Sequence, residues 1–167
     1  MEIVGIDPGK SGFLSFLSDD RYWFSVPMPT VKVSKKGTKT DYAVAQLRGL
    51  LQELDDRSFV VIEAQQSMPQ QGVSSTFTTG RGFGLLEGMC AGLYLPYTIV
   101  RAKEWQKVMH NGISGDNPKA KSIIAAGRLF PNVDLRKTER CKNPHDGKAD
   151  SLLIAEYGRR LMAGDYE

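Results

Sequence analysis

The chain has 167 residues, one domain's worth of sequence and enough to bury a core. Hydrophobic residues make up 41% and charged residues 25%, an ordinary globular balance without repeats or low-complexity tracts, and the longest apolar runs are far too short to span a bilayer. The 22 Lys and Arg against 19 Asp and Glu leave a net charge of +3, too little by itself to point to nucleic acid. No basic-then-apolar leader opens the sequence, so a soluble, intracellular protein is expected. Cys90 and Cys141 lie far apart without metal-ligand spacing and read as free thiols.

In chain order, residues 2–7 (EIVGID) read as a buried strand ending at Pro-Gly. Residues 11–18 and 20–26 are two more strands, separated by an Asp-Asp turn, which completes an antiparallel meander. Residues 28–40 read as a loop carrying Lys32, Lys35, Lys36 and Lys39. Val44, Leu47, Leu50, Leu51 and Leu54 recur at helical spacing, predicting an amphipathic helix over 41–54 with Asp41 as its cap. Residues 58–63 (SFVVIE) form a second fully apolar strand ending in an acid, followed by a polar loop over 64–75. A helix is expected over 76–93, although Gly80, Gly82, Gly84, Gly88 and Gly92 lower its propensity; those glycines would permit close packing on the sheet. A short strand at 96–100 precedes helices near 102–110, 118–129 and 145–163, the second capped by Asn117 with Pro118 in its first position. Trp105 and Phe77 are expected in the core. The order predicts an α/β domain spanning 1–167, with a mixed sheet flanked by helices.

The position of the acids carries the chemistry. Asp7 ends one apolar strand and Glu63 another, and in open α/β sheets ligands collect beyond the carboxyl ends of strands. In Pro144-His145-Asp146-Gly147-Lys148-Ala149-Asp150, a helix would put Asp146 and Asp150 on one face. Leu153 and Tyr157 share that face, so it points inward. Two like charges there repel each other and are costly to desolvate, and a bound divalent cation is the natural compensation. An all-oxygen donor set with few histidines favours Mg²⁺, with Mn²⁺ as substitute, over Zn²⁺. Four carboxylates suit two ions roughly 3.5–4 Å apart, the arrangement of two-metal phosphodiester hydrolysis. Each acid also has a plainer reading, as a turn former at Asp7, a surface residue at Glu63, or a helix N-terminal charge at Asp146; Asp150, a full turn further in, fits that reading least.

Three segments together resemble the RuvC-type Holliday junction resolvases. They are Ile3-Val4-Gly5-Ile6-Asp7-Pro8-Gly9 followed by Ser11-Gly12, Val60-Val61-Ile62-Glu63-Ala64-Gln65, and His145 through Ala155. Lys119-Ala120-Lys121-Ser122 is a fourth, weaker match. The resemblance covers nearly the whole chain and is nearest to the branch found in phages and chloroplasts. It implies a ribonuclease-H-like fold with a five-stranded mixed sheet, and a homodimer that nicks four-way or other branched DNA symmetrically. It further implies a site with two Mg²⁺ or Mn²⁺ ions, held by Asp7, Glu63, Asp146 and Asp150. A lysine beside the scissile phosphate is implied as well, with Lys121 the first choice and Lys119 the second. The last two acids are four apart here, where bacterial members space them three apart, and His145 becomes an auxiliary group next to the ligands. The loop after Glu63 offers Gln65, Gln66 and Met68 where many members present an aromatic side chain.

DNA contacts are expected from Lys32, Lys35, Lys36, Gln66, Met68, Ser75, Arg81 and Lys119, mostly through phosphates, against the plainer reading of a solvated loop or a helix cap. Arg136, Lys137, Arg140 and Lys142 form a second basic set before the last helix. The same acidic framework also suits a ribonuclease acting on RNA–DNA hybrids. A junction-binding protein without catalysis would need a damaged acid cluster. A sugar-kinase or actin-like ATPase would need a second domain.

Overall fold

A computed structural model of the chain describes residues 1–18, 23–33, 39–66 and 72–165. Seven strands and five helices are described: β1 (Glu2–Ile6), β2 (Phe13–Ser18), β3 (Trp23–Pro27), β4 (Thr30–Lys32), β5 (Thr40–Tyr42), α1 (Val44–Leu51), β6 (Phe59–Glu63), α2 (Val73–Gly92), β7 (Tyr97–Val100), α3 (Ala102–Met109), α4 (Pro118–Leu129) and α5 (Asp146–Ala163). The main sheet runs β3-β2-β1-β6-β7. β1 pairs antiparallel with β2, and β2 with β3, while β1, β6 and β7 are parallel. The expected five-stranded mixed sheet is therefore present. Among the described residues no helix is long and apolar enough to cross a membrane.

The two acid-bearing strands sit at the centre because they are apolar on both faces, as strands covered on both sides must be. Val4, Ile6, Val60 and Ile62 pack with Leu47, Leu51 and Leu86 of α1 and α2. Ile3 and Val61 face the opposite way, into a core with Trp105 of α3, Ala125 and Ala126 of α4, and Leu152 and Ala155 of α5. Successive side chains on a strand alternate faces. Continuing that alternation from Ile3 through Gly5 puts Asp7 on the α5 side, and Val61 puts Glu63 there too.

Helix α5 lies directly on β1. A Cβ at Gly5 would stand 2.2 Å from the Ser151 carbonyl oxygen and 2.3 Å from the Ala155 nitrogen, and one at Gly158 would stand 2.4 Å from Val61 Cγ2. Glycine at these positions is what allows the close approach. The polar atoms trapped beneath the helix are satisfied by one another, with Ser15 Oγ 2.6 Å from Ser151 Oγ and 2.8 Å from Ser25 Oγ.

Four expectations change. Asp41 is not a helix cap. It lies in β5, which with β4 forms a separate two-stranded ribbon across the expected loop and the first two residues of the expected helix. Its carboxylate accepts from the Tyr42 N–H and pairs with Arg81, leaving Ala43 at the N-cap without a side-chain bond. The α2 glycines do not seat that helix on the sheet. Only Gly82 is crowded, against the Tyr42 ring, while Gly80, Gly84, Gly88 and Gly92 face open space. Phe77 is 72% exposed rather than core, whereas Trp105 is fully buried as expected. The Asn117 cap holds, with its Oδ1 accepting from the Ala120 N–H at 3.0 Å. Both cysteines are free.

Candidate active site

The turn after β1 presents the first acid. Asp7 donates its N–H to Phe13 O at 3.0 Å, Gly12 N–H donates to Gly9 O at 2.8 Å, and Gly9 N–H donates to Asp7 Oδ1 at 3.3 Å. The turn folds onto the carboxyl so tightly that a Cβ at Gly12 would come within 2.7 Å of Asp7 Cγ. One at Gly147, in the first turn of α5, would come within 2.8 Å of Asp7 Oδ2. The Asp7-Pro8-Gly9 and Gly147 positions of the sequence motifs are thus two sides of one contact.

Around Asp7 the other three acids converge. Burial pushes the Asp7 carboxyl from 3.8 up to about 7, the negative charges of Glu63 and Asp146 push the same way, and the Gly9 N–H and Lys119 oppose them. Asp150 is likewise raised to about 7, first by burial and then by Asp7 and Asp146, against the Ser122 hydroxyl beside it and Lys119. Its Oδ1 is buried with no hydrogen-bond partner. Glu63 is raised by burial and by Asp150. It accepts from the Trp105 indole N–H at 3.0 Å on Oε1 and from Gln65 Nε2 at 3.4 Å on Oε2. Asp146 alone is held below its ordinary value, chiefly by the Lys119 ammonium 2.5 Å from its Oδ2. Asp146 is turned toward Lys119 and Glu63 toward Trp105 and Gln65. Among the described residues no group of three or more His, Cys, Asp or Glu side chains is placed to hold a metal ion.

The two candidate lysines part company here. They are two residues apart on α4, so they leave the helix on nearly opposite sides. Lys119 reaches the acids and its charge acts on Asp7, Asp146 and Asp150. Lys121 lies against Gly115, with its charge felt by His110. It lines a cleft with Gln106, Lys107 and Asp116. His145 is the N-cap of α5, with no side-chain cap bond. Its ring packs on Phe13 at 5.0 Å between centroids. Its Nδ1 stands 3.8 Å from Asp146 Oδ1, is buried without a hydrogen-bond partner, and burial pushes the imidazole toward its neutral form.

The expected DNA-contact residues are spread more widely. Ser75 lines a cleft with Gly9, Lys10, Tyr42, Ser74 and Thr78, close to the acids through the Gly9 turn. Arg81 stands on α2, paired with Asp41. Lys32 ends β4 and is exposed, and Gln66 is exposed beyond β6. Lys35, Lys36 and Met68 lie outside the described residues. Sequence reasoning missed Lys10, whose Nζ donates to Thr40 O at 2.9 Å and ties the Asp7 turn to the β4–β5 ribbon. It also read Trp105 as core only. A buried indole needs an acceptor for its N–H, and the terminal acid of β6 was the available one.

No protein-family model matches the chain, and no curated protein matches it in sequence. Solved structures do match it. The Thermus thermophilus RuvC structure superposes with a TM-score of 0.61 at 15% identity, over 100% of this chain and 99% of that one. T. thermophilus RuvC in complex with Holliday junction substrate gives 0.60 at 13% identity, over 100% and 98%. The chain therefore has the RuvC fold, of the ribonuclease-H-like class, along its whole length.

Proposed function

We propose that the protein is a Mg²⁺-dependent endonuclease that resolves four-way DNA junctions by paired symmetric nicks, with the whole chain acting as one nuclease domain. The observation that carries this reading is the convergence of four carboxylates from three separate segments, on one face of a RuvC-type sheet, with one lysine ammonium among them. Neighbouring structures of that fold include one bound to a Holliday junction substrate, which supports branched DNA as the substrate class.

The donor set fits hard divalent cations. Asp7, Glu63, Asp146 and Asp150 are all oxygen donors. Two of them are driven to about 7 by burial and mutual repulsion, and Asp150 Oδ1 has no partner in the fold. These four residues would hold two Mg²⁺ ions, or Mn²⁺ in their place. When bound, the ions would supply a nucleophilic hydroxide and charge neutralisation at the leaving 3′ oxygen. Asp146 would exchange its Lys119 partner as it joins them. The freed Lys119 ammonium then stabilises charge on the phosphoryl oxygens. His145, its ring tilted against Phe13, stands beside Asp146 as an auxiliary group. Attack of water on phosphorus would break the P–O3′ bond, the oxygen and one proton of the water ending on a 5′-phosphate and its other proton on the 3′-hydroxyl that leaves.

DNA is held through Lys32, Ser75, Arg81 and Gln66, together with Lys35, Lys36 and Met68. Arg81 contributes once Asp41 releases it. Lys10, in the cleft beside Ser75, joins this set. Symmetric nicking needs two copies. The outer face of α2 suits a second copy of this chain: it exposes Val73 and Phe77 and carries Gly80, Gly84 and Gly88 over open space, which would let two helix backbones approach closely.

The test is nicking of a fixed four-way junction, beside linear duplex and an RNA–DNA hybrid, with and without Mg²⁺. Paired nicks confined to the junction and dependent on metal are expected. Cleavage of the hybrid instead would keep the site and move the substrate to RNA. Tight junction binding without any cleavage would overturn the catalytic reading.

The two lysines can be separated in the same assay. Lys119→Ala is expected to slow nicking about 10²-fold, the scale of losing one preorganised positive group at a developing charge. Lys121→Ala is expected to slow it less than about tenfold, through weaker phosphate attraction. The reverse order would return the phosphate role to Lys121.

A further inference from the structure

Helix α3 supplies none of the four clustered acids, yet its Trp105 bonds one of them and its C-cap bonds the neighbour of another. Trp105, fully buried, donates its indole N–H to Glu63 Oε1 at 3.0 Å. Five residues on, His110 caps the C-terminus of the same helix, and its Nε2 lies 3.0 Å from Ser122 Oγ on α4. Ser122 is 1% exposed, and its hydroxyl stands by the Asp150 carboxyl and favours its ionised form. The Trp105 and His110 rings meet edge-on, 5.5 Å between centroids. Trp105 thus meets Glu63 directly, and His110 meets Ser122, the neighbour of Asp150.

We propose that α3 is a brace for the acids, in which Trp105 positions Glu63 directly and His110 positions Asp150 through Ser122. This rests on the reading of those acids as metal ligands. A serine hydroxyl has a single proton, and an ionised carboxylate only accepts. With Asp150 ionised, as a bound cation would hold it, the Ser122 proton is directed to the carboxylate and His110 then donates from Nε2 to Ser122. The imidazole is in this way held in one tautomer, and the chain of donors runs toward the acid. Asp150 is left with a buried Oδ1 that has no hydrogen-bond partner, the atom open to a cation. Groups that hold ligands from behind in this manner fix their rotamers and set their basicity.

Mn²⁺ affinity, measured by titration calorimetry on the full chain without DNA, reads the brace independently of cleavage. Ser122→Ala, His110→Leu and Trp105→Phe are each expected to weaken Mn²⁺ binding about tenfold or more, the usual scale for outer partners of metal ligands. His110→Gln keeps an amide donor near the Nε2 position and is expected to bind within about threefold of wild type, a rescue that a packing role alone would not produce. Thermal melting without metal identifies the variants that remain folded. Should Trp105→Phe fail to fold, the Ser122 and His110 variants decide. Wild-type affinity in folded Ser122→Ala and His110→Leu would overturn the brace and leave the metal reading standing. A wild-type protein that binds no Mn²⁺ would overturn the metal reading and the brace with it.

Discussion

Asp7→Asn is expected to abolish nicking and, in the same preparation, to raise the melting temperature of the metal-free protein. The loss should be at least about 10³-fold, equivalent to about 4 kcal/mol of transition-state stabilisation, because Asn has only one acceptor oxygen and no charge to hold a cation. The gain in stability has a separate cause. In the fold, burial and the neighbouring acids move Asp7 from 3.8 to about 7, and each tenfold change in that equilibrium is worth about 1.4 kcal/mol. A carboxyl raised in this way contributes its full stability below about pH 4. That contribution is lost progressively as the pH rises through about 7. Asp150 follows the same course. The wild-type protein in chelator should therefore melt at falling temperatures between pH 4 and 7, reaching a plateau above that. Asp7→Asn removes one of the two contributions, so at pH 7.5 it should melt about 5 °C higher, taking a gain of about 2 kcal/mol at about 2–4 °C each for a chain of this size. The same protonation competes with metal, so Mg²⁺ or Mn²⁺ affinity should climb with pH up to about 7. An Asp7→Asn protein that melts lower than wild type in chelator would show that Asp7 is not strained by burial, and one that still nicks would show that Asp7 is not a ligand. This is the usual trade at functional sites, where charges assembled for chemistry cost stability until their ligand arrives.

The second large effect is on folding. Gly5→Ala would place a methyl group 2.2 Å from the Ser151 carbonyl oxygen, 2.3 Å from the Ala155 nitrogen and 2.8 Å from the Ala155 Cα. All three are backbone atoms in the middle of α5, so no rotamer change relieves the clash, and the helix must lift off the sheet. Overpacking costs about 1–3 kcal/mol where side chains can shift and more where they cannot, so a loss above about 3 kcal/mol is expected in urea denaturation. Asp146 and Asp150 ride on α5, so the acids should separate from Asp7 and nicking should fail with the fold. Gly127→Ala is the control. It is exposed on α4 with nothing within 4 Å of the added atom, and it should gain up to about 1 kcal/mol from helix propensity alone. Gly5→Ala within about 1 kcal/mol of wild type would mean that α5 does not lie on β1 as described.

Much of the site could be read from the chain before any coordinates. Asp7 and Glu63 each end an apolar strand, and such strand ends are where ligands collect in α/β sheets. Asp146 and Asp150 follow from helical spacing. These are local regularities, set by backbone geometry over a few residues, and they survive in any fold that uses those elements. Helix α4 was legible for the same reason, since Asn117 and Pro118 specify its start through bonds within one turn.

What the tertiary structure alone decided lies between elements. Lys119 rather than Lys121 meets the acids because α4 is rotated about its axis by its packing on α5, where Ala125, Ala126 and Ser122 are buried. Trp105 reaches Glu63 across 42 residues of sequence, where α3 meets the end of β6, and His110 reaches Ser122 because α3 and α4 pack together. Asp41 leaves the helix cap because a ribbon partner and Arg81 compete for it across 40 residues of sequence. The α2 glycines face open space because Gly82 alone meets a neighbour, the Tyr42 ring. Sequence periodicity thus determined which residues carry charge toward the centre of the sheet. The rotation and docking of whole helices, governed by long-range packing, decided which side chains meet those charges.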